Sequence, residues 1–288
     1  MSSSPPLPYI QRIREYYQAL GYGTSYKWAH FNDVPFSKPT KPVAESRLTI
    51  VTTAAPFQPG SGDQGPGAPY NGAAKFFSVY SQATNVEPDL CISHVAIDRM
   101  HTTAEDQNSY FPLKAFRELH ENGKLGAITP RFHGLPTNRS QRITLEIDCV
   151  ELLRRCREDR VDIAVLVPNC PVCHQSITHA ARTLEQAGIS TVIMGCAKDI
   201  VEHVGAPRLL FNDFPLGNAA GPPGDPEAQL TIAQMALDLF ANANEPGTTI
   251  QSPIKWPGNP DWKRDYSNAA LLSQDEIARR RAEFDKGK

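Results

Sequence analysis

Two cysteines that stand two residues apart, Cys170 and Cys173, are followed directly by His174. The apolar run 163–167 comes before the pair and a helical pattern follows it, so the sequence predicts that Cys170 lies at a strand-to-helix turn. Backbone N–H groups and the positive end of the helix dipole lower a thiol pKa there, below the roughly 8.5 of free cysteine. We therefore predict Cys170 as a nucleophile, Cys173 as the thiol that resolves its adduct as a disulfide, and His174 as a proton shuttle.

Two other interpretations of the pair stay open at this point. A zinc site needs two further ligands, and the sequence has neither a second CxxC nor a suitably spaced pair of histidines. The nearest candidate ligands are His174, His179 and Cys196. Alternatively, both thiols are buried structural side chains.

A third strand-end cysteine, Cys196, follows the predicted strand 190–194. Neighbouring parallel strands lie roughly 5 Å apart, so Cys196 can reach the site of Cys170, although a small buried side chain is the competing interpretation. The remaining cysteines are predicted to be core thiols: Cys91, Cys149 and Cys156.

Polar residues are dense after the predicted strand 91–97, where His101, Asp106 and Asn108 follow one another closely. The carboxyl edge of an open α/β sheet is where ligands bind, so these side chains are candidates for substrate binding. Their alternative role is to cap the helix predicted at Pro112. Arg131 can hold a substrate carboxylate, and we place His133 in the same predicted pocket. The competing interpretation is that Arg131 is an ordinary surface arginine. His94 is predicted to be a buried or supporting residue.

Three segments are expected: an N-terminal arm (1–45), an α/β catalytic domain (46–242) and a C-terminal tail (243–288). The βαβ pattern over 162–194 predicts a mainly parallel sheet flanked by helices, with two similar α/β halves as a variant. The predicted strands are 48–53, 91–97, 125–128, 162–168, 190–194 and 209–211. The predicted helices are 9–20, 112–123, 143–157, 176–188, 230–242 and 274–286.

Composition narrows the function classes. The 288 residues carry a net charge of −2, so the chain has no basic footprint for nucleic acid. No apolar run approaches the roughly 18 residues of a membrane span, and the N-terminus lacks a signal-peptide pattern. Neither GxGxxG nor GxxxxGK occurs, so no nucleotide site is expected. Six cysteines are ordinary for a reduced cytoplasmic enzyme, and we predict that location.

Several motifs, taken in order, resemble the selenoprotein B family of the glycine, sarcosine, betaine and D-proline reductases over residues 45–225. The marks of the resemblance are Asp106-Gln107-Asn108, Phe111-Pro112-Leu113, Gly123-Lys124-Leu125-Gly126, Cys170-x-x-Cys173, Ala187-Gly188-Ile189, Val204-Gly205-Ala206 and Pro215-Leu216-Gly217. The strand-end cysteine also resembles that of the aspartate/glutamate racemases, at the level of fold.

The resemblance implies a mechanism. In that family a selenocysteine attacks an activated substrate carbon and an amine leaves, after which a cysteine forms a selenide–sulfide bond. By resemblance, Cys170 takes the selenocysteine position and Cys173 the resolving position, with sulfur in place of selenium. The family reductases work with a separate pyruvoyl-type carbonyl subunit, which implies a partner.

The predicted function is a thiol-dependent reductase or reductive lyase that acts on a small polar substrate. No cofactor is specified, but a thioredoxin-like redox protein is expected to return the dithiol to its reduced form. Two alternatives stand beside it: a metal-dependent hydrolase or lyase with Cys/His ligands, and a non-catalytic subunit of a reductase complex. The arm of about 45 residues needs a surface to lie against, which favours a homo-oligomer or a partner subunit. No contact with nucleic acid or membrane is expected.

Overall fold

The computed structural model describes residues 4–66, 68, 71–92, 94 and 96–286. The strands are β1 (Arg47–Thr52), β2 (Ala55–Pro56), β3 (Tyr80–Ala83), β4 (Leu90–Cys91), β5 (Ala127–Ile128), β6 (Arg131–Gly134), β7 (Ile163–Val167), β8 (Ser190–Gly195), β9 (Arg208–Phe211) and β10 (Thr248–Gln251). The α-helices are α1 (Tyr9–Ala19), α2 (Leu113–Glu121), α3 (Gln141–Ile143), α4 (Cys149–Glu158), α5 (Pro171–Gln186), α6 (Lys198–Val204), α7 (Pro226–Asn242), α8 (Trp262–Asp265) and α9 (Gln274–Lys286).

A mostly parallel sheet forms the centre of the described chain, in the order β10-β9-β8-β7-β1-β6-β3. Strand β5 also pairs with β1, while β3 is antiparallel to β6 at one edge. Every residue of β7 and β8 is buried, as expected for parallel strands covered on both faces. The predicted α/β class with a mainly parallel sheet flanked by helices is therefore confirmed.

Helices cover both faces of this sheet. Alternate residues of a strand point to opposite faces, so Ile50 packs in one core with α2 and α7, whereas Val51 packs in a second core with α4 and α5. Because all the central strands are parallel, their carboxyl ends meet at one edge. The turns that leave β1, β6, β7 and β8 therefore lie close together.

The N-terminal arm lies on the body of its own chain. The Ile10 N–H donates to an Asp199 carboxylate oxygen at 2.8 Å, and the Ala29 N–H donates to Gln175 Oε1 at 2.7 Å. Further along, the Ser37 hydroxyl donates to the Glu185 carbonyl oxygen at 3.0 Å. The surface that the arm needs is thus supplied by α5 and α6, so the arm gives no reason to expect a second chain.

Two predictions of local structure are corrected. The strand predicted over 91–97 is wrong for its described residues: only Leu90–Cys91 is extended, in a separate antiparallel pair with β2, and Ser93 and Val95 lie outside the described residues. The helix predicted from Ile143 begins at Gln141 and contains a π-helical segment, Thr144–Asp148.

The π-helical segment changes which side chains face inward. Leu145 is 36 % exposed instead of lying beside Leu152, because the wider turn rotates it away from the core. The tail also contributes β10 to the sheet edge. Among the described residues, no helix has both the length and the apolar character that crossing a bilayer requires.

Candidate functional site

Cys170 is the N-cap residue of α5. It follows β7 after Pro168 and Asn169, its backbone is extended, and its sulfur accepts a hydrogen bond from the Cys173 N–H at 3.2 Å. Pro171 occupies the first helical position, where the missing N–H costs nothing and the fixed φ suits the helix. The predicted strand-to-helix placement of Cys170 is confirmed.

The sulfurs of Cys170 and Cys173 are joined as a disulfide, with their Cα atoms 4.9 Å apart. Cys170 is 5 % exposed and Cys173 is fully buried. A CxxC at a helix start brings both sulfurs to the same end of the helix, so the pair can pass between dithiol and disulfide without moving the backbone far. Its burial means that a reactant must displace covering side chains to reach it.

A cavity of about 360 Å³ is lined by residues on both sides of His94 in the sequence, but neither Cys170 nor Cys173 lines it. Its lining includes Gln64, Cys91, Ile97 and Arg99. The Arg99 guanidinium donates to the carbonyl oxygen of His94 at 2.6 Å. His94 in turn lies beside the disulfide, so a residue of the cavity wall is tied to the residue next to the pair.

The His94 ring and the two sulfurs form a compact group, because one ring nitrogen and both sulfurs lie within 4.8 Å of one another. Burial lowers the pKa of His94 to about 3, and the charges of Lys75 and Arg99 lower it further. The imidazole is therefore neutral at pH 7. The hydroxyl of Thr137 lies 3.1 Å from the Cys173 sulfur and 3.5 Å from His94 Nε2.

Sequence reasoning missed two residues beside the pair, Thr137 and Asn169. Thr137 follows β6, and only the pairing of β6 with β1 brings it here. Asn169 precedes Cys170 and is fully buried; its backbone N–H donates to Thr53 Oγ1 at 3.0 Å. Neither polar atom of its side chain has a hydrogen-bond partner among the described residues. The sequence did contain one signal for Asn169, because its amide side chain directly precedes the candidate nucleophile Cys170.

Both ring nitrogens of His174 are engaged. Its Nδ1 lies 2.7 Å from the Cys170 carbonyl oxygen, while Nε2 accepts from the backbone N–H groups of Cys196 at 3.0 Å and Ala197 at 3.1 Å. These partners assign the neutral tautomer with the proton on Nδ1. Burial lowers the pKa of His174 to about 4, although the Cys170 carbonyl favours the charged form. The ring ties the turn after β7 to the turn after β8.

Cys196 lies at the same sheet edge as Cys170, directly after β8. It is 3 % exposed, and burial raises its thiol pKa, with a further increase from Asp213. The backbone N–H groups of Phe214 and Asn218 act to lower that pKa, but burial outweighs them. Its environment is that of a protonated, packed thiol.

The polar block after β4 forms a network of its own. His101 Nδ1 lies 2.9 Å from an Asp98 carboxylate oxygen. Asp106 accepts from the Asn108 backbone and side chain, and from Gly224 and Gln229. Burial acts to raise the pKa of Asp106, but these four hydrogen bonds together lower it. The carboxylate thereby joins this loop to the start of α7.

Arg131 and His133 belong to a different cluster. The Arg131 guanidinium donates to both oxygens of Asp159, at 3.0 and 2.9 Å. His133 lies 2.8 Å from Ser81 Oγ through Nδ1 and 3.3 Å from Asp159 through Nε2. Asp159 follows the last residue of α4, and Arg131 begins β6, so this cluster lies toward the amino edge of the sheet. The structure does not bring these two side chains to the disulfide.

Comparison with known proteins gives a reductase relationship. The chain is similar to the D-proline reductase subunit gamma of Acetoanaerobium sticklandii, with 28 % identity over 169 residues. The match covers 58 % of this chain and 69 % of that subunit. No family model matches the chain. No solved structure matches it either. The similarity supports a reductase-related role.

Proposed function

We propose that this chain is a cysteine-dependent reductase subunit in which Cys170 and Cys173 carry two electrons. The observation that carries the proposal is the position of Cys170 as N-cap of α5, paired with Cys173, at the carboxyl edge of the sheet. The same edge is where open α/β folds bind ligands. The similarity to a D-proline reductase subunit points to the same class of chemistry.

The proposed reaction begins with the reduced pair. The Cys170 thiolate bonds to an electrophilic atom of the substrate, and the leaving group departs with its electron pair and takes a proton. The Cys173 thiolate then attacks the Cys170 sulfur and forms the disulfide. The substrate atom keeps the electron pair of the broken bond to sulfur and takes a second proton. One substrate bond is reduced, two thiols are oxidised, and a thioredoxin-like dithiol donor returns the two electrons.

We assign positioning roles to the neighbours of the pair. His174 holds the Cys170 carbonyl with one nitrogen and two backbone N–H groups with the other, so no ring nitrogen is left to carry protons. Its role in the proposal is to fix the turn, in place of the proton shuttle predicted from its sequence position. Thr137, which touches the Cys173 sulfur, is the hydroxyl best placed to orient the resolving thiol.

The charges near the pair suit an anionic substrate. Lys75 and Arg99 both act on the His94 ring through their positive charge, and His94 adjoins the sulfurs. A small molecule with a carboxylate is thus favoured over a cation. The name of the relative makes D-proline the first compound to test, and its description as a subunit makes a partner subunit part of the proposal.

A single-turnover measurement tests this proposal. Anaerobically reduced protein is mixed with D-proline, and the Cys170–Cys173 disulfide is quantified by mass mapping, together with the ring-opened amine product. The proposal expects both to appear in equal amounts, with added partner subunits where the chain alone is slow. Cys196→Ser is the matched control and retains the reaction. Disulfide formation at the same rate with and without substrate, or product from Cys170→Ser, would contradict it.

A further inference from the structure

The reduced Cys170–Cys173 pair has a third potential metal ligand beside it, His94. One ring nitrogen of His94 and the two sulfurs lie within 4.8 Å of one another. Ligand atoms on one tetrahedral zinc ion lie roughly 3.5–3.8 Å apart, since Zn–S is about 2.3 Å and Zn–N about 2.0 Å. Once the pair is reduced, the two sulfurs must separate to roughly 3.8 Å and the ring nitrogen must come to roughly 3.5 Å from each, which side-chain movements on the order of 1 Å achieve.

The donor set is suited to a soft or borderline metal. Two thiolates and a neutral imidazole are ligands that Zn²⁺ prefers over Mg²⁺ or Ca²⁺. The buried Nδ1 of His94 has no hydrogen-bond partner among the described residues. Its other nitrogen is 3.5 Å from the Thr137 hydroxyl, which is too long for a strong hydrogen bond. The ring thus gives up little when one nitrogen binds an ion.

We propose that the reduced form of this protein binds one Zn²⁺ through Cys170, Cys173 and His94, with a fourth position open. The balance is simple: the ion takes both thiolates and the imidazole, and up to two thiol protons are released. In the oxidised form the sulfurs are bonded to each other, so they cannot serve as thiolate ligands. Zinc binding and disulfide formation exclude each other, and a dithiol or phosphine reductant is needed before the ion can enter.

The open position has a defined electrostatic character. Two thiolates neutralise a divalent ion, while Lys75 and Arg99 add positive charge around the His94 side of the site. An anionic oxygen, such as a carboxylate or hydroxide, is therefore the fourth ligand that fits best. Three protein ligands with one open position are characteristic of reactive rather than purely structural zinc sites.

Metal titration of the full chain tests the site. Protein reduced with a phosphine is titrated anaerobically with Co²⁺, which reports thiolate ligation by charge-transfer absorption, and Zn²⁺ is then used to displace it. The expected result is one ion per reduced chain, none in the Cys170–Cys173 oxidised protein, and proton release on Zn²⁺ binding. His94→Ala is expected to weaken Zn²⁺ binding on the order of 100-fold, whereas His120→Ala, on the exposed side of α2, leaves it unchanged.

Three results overturn the inference. They are reduced protein that binds no Zn²⁺, binding that survives Cys170→Ser, and binding that depends on the cysteines but not on His94. His94→Gln serves as a second variant, and disulfide formation in the two His94 variants, measured with a chelator present, shows that the fold around the pair is kept. The geometry carries this inference independently of the reductase proposal. Zn²⁺ binding can fail while the Cys170–Cys173 pair still cycles between dithiol and disulfide in the presence of a chelator. Equally, Zn²⁺ can bind to a pair that reduces no substrate.

Discussion

Cys170 and Cys196 occupy corresponding places in one sheet, and their surroundings differ. Each follows a buried parallel strand, β7 or β8, and each precedes a helix at the carboxyl edge. Cys170 caps its helix through its sulfur and bonds to a second cysteine one turn on. Cys196 stands one residue before the N-cap of α6, has no second cysteine within that helix turn, and is packed as a protonated thiol.

The comparison shows that the edge of the sheet alone does not make a cysteine a candidate for chemistry. The position relative to the helix start and the spacing of a second thiol make the difference. His174 connects the two sites, because its ring holds the carbonyl of Cys170 and the backbone N–H of Cys196. Changes at the two cysteines and at this ring can therefore break or sharpen the comparison.

Replacing the two cysteines in turn should give the largest contrast. Cys170→Ser removes the proposed nucleophile, so single-turnover reduction is expected to fall at least about 1000-fold. Cys196→Ser, at the same edge, should change it by less than about fivefold, because that sulfur only packs. The measurement is the rate of disulfide formation and product release with D-proline. Equal losses in the two variants would remove the distinction between the sites.

Loss of the connecting ring should destabilise both turns. His174→Ala leaves two buried backbone N–H groups without a partner and removes one of the two donors to the Cys170 carbonyl, so the free energy of unfolding is expected to fall by about 3 kcal/mol. His203→Ala, an exposed histidine on α6, should cost less than about 0.5 kcal/mol. Urea unfolding of the reduced proteins measures both. Similar small losses in the two would show that the ring does not hold the edge together.

Acid should destabilise the protein through a second histidine of α5, His179. Burial lowers its pKa to about 4, with Arg182 adding to the effect, and the Phe31 ring packs on it. Below about pH 6.5 the His179 ring binds a proton in the unfolded chain but stays neutral in the folded chain. The free energy of unfolding therefore falls between about pH 6.5 and pH 4, by on the order of 3 kcal/mol.

His179→Leu is expected to lose less stability over that range, while above about pH 6.5 the two proteins should have the same dependence on pH. Arg182 is held by Asp33, so neither of those charges changes between the two proteins. Urea unfolding at about pH 7.5 and about pH 4.5 provides the comparison. An unchanged acid loss in the leucine variant would place the sensitivity at the other buried histidines.

The smallest effect is expected at the residue before Cys196. A Cβ at Gly195 would lie 3.2 Å from His174 Cδ2 and 3.3 Å from its Nε2, so Gly195→Ala should push the ring and weaken its hydrogen bonds. We expect a loss of about 1 kcal/mol. Gly23→Ala, where the added carbon has nothing within 4 Å, should have little effect. A Gly195→Ala variant as stable as Gly23→Ala would show that the ring has room to move.

Much of the fold could be predicted from the sequence, because a short apolar run such as 163–167 indicates a buried strand. The turn at Cys170 followed from the same pattern. The failures have physical causes. The strand predicted over 91–97 shares the apolar character of a core strand, but Leu90–Cys91 pairs only with β2. The sequence around Arg131 carried no sign that its Nε–H would donate to both carboxylate oxygens of Asp159, since that contact depends on where α4 ends.

The central claim is that Cys170 and Cys173 interconvert between dithiol and disulfide in the folded protein. Equilibration in glutathione buffers of graded potential, with a chelator present and mass mapping of every cysteine, tests it most directly. The account predicts one two-electron transition that links Cys170 to Cys173 and leaves Cys91, Cys149, Cys156 and Cys196 reduced throughout. Cys170 and Cys173 remaining free across all buffers, or pairing with other cysteines, would contradict it.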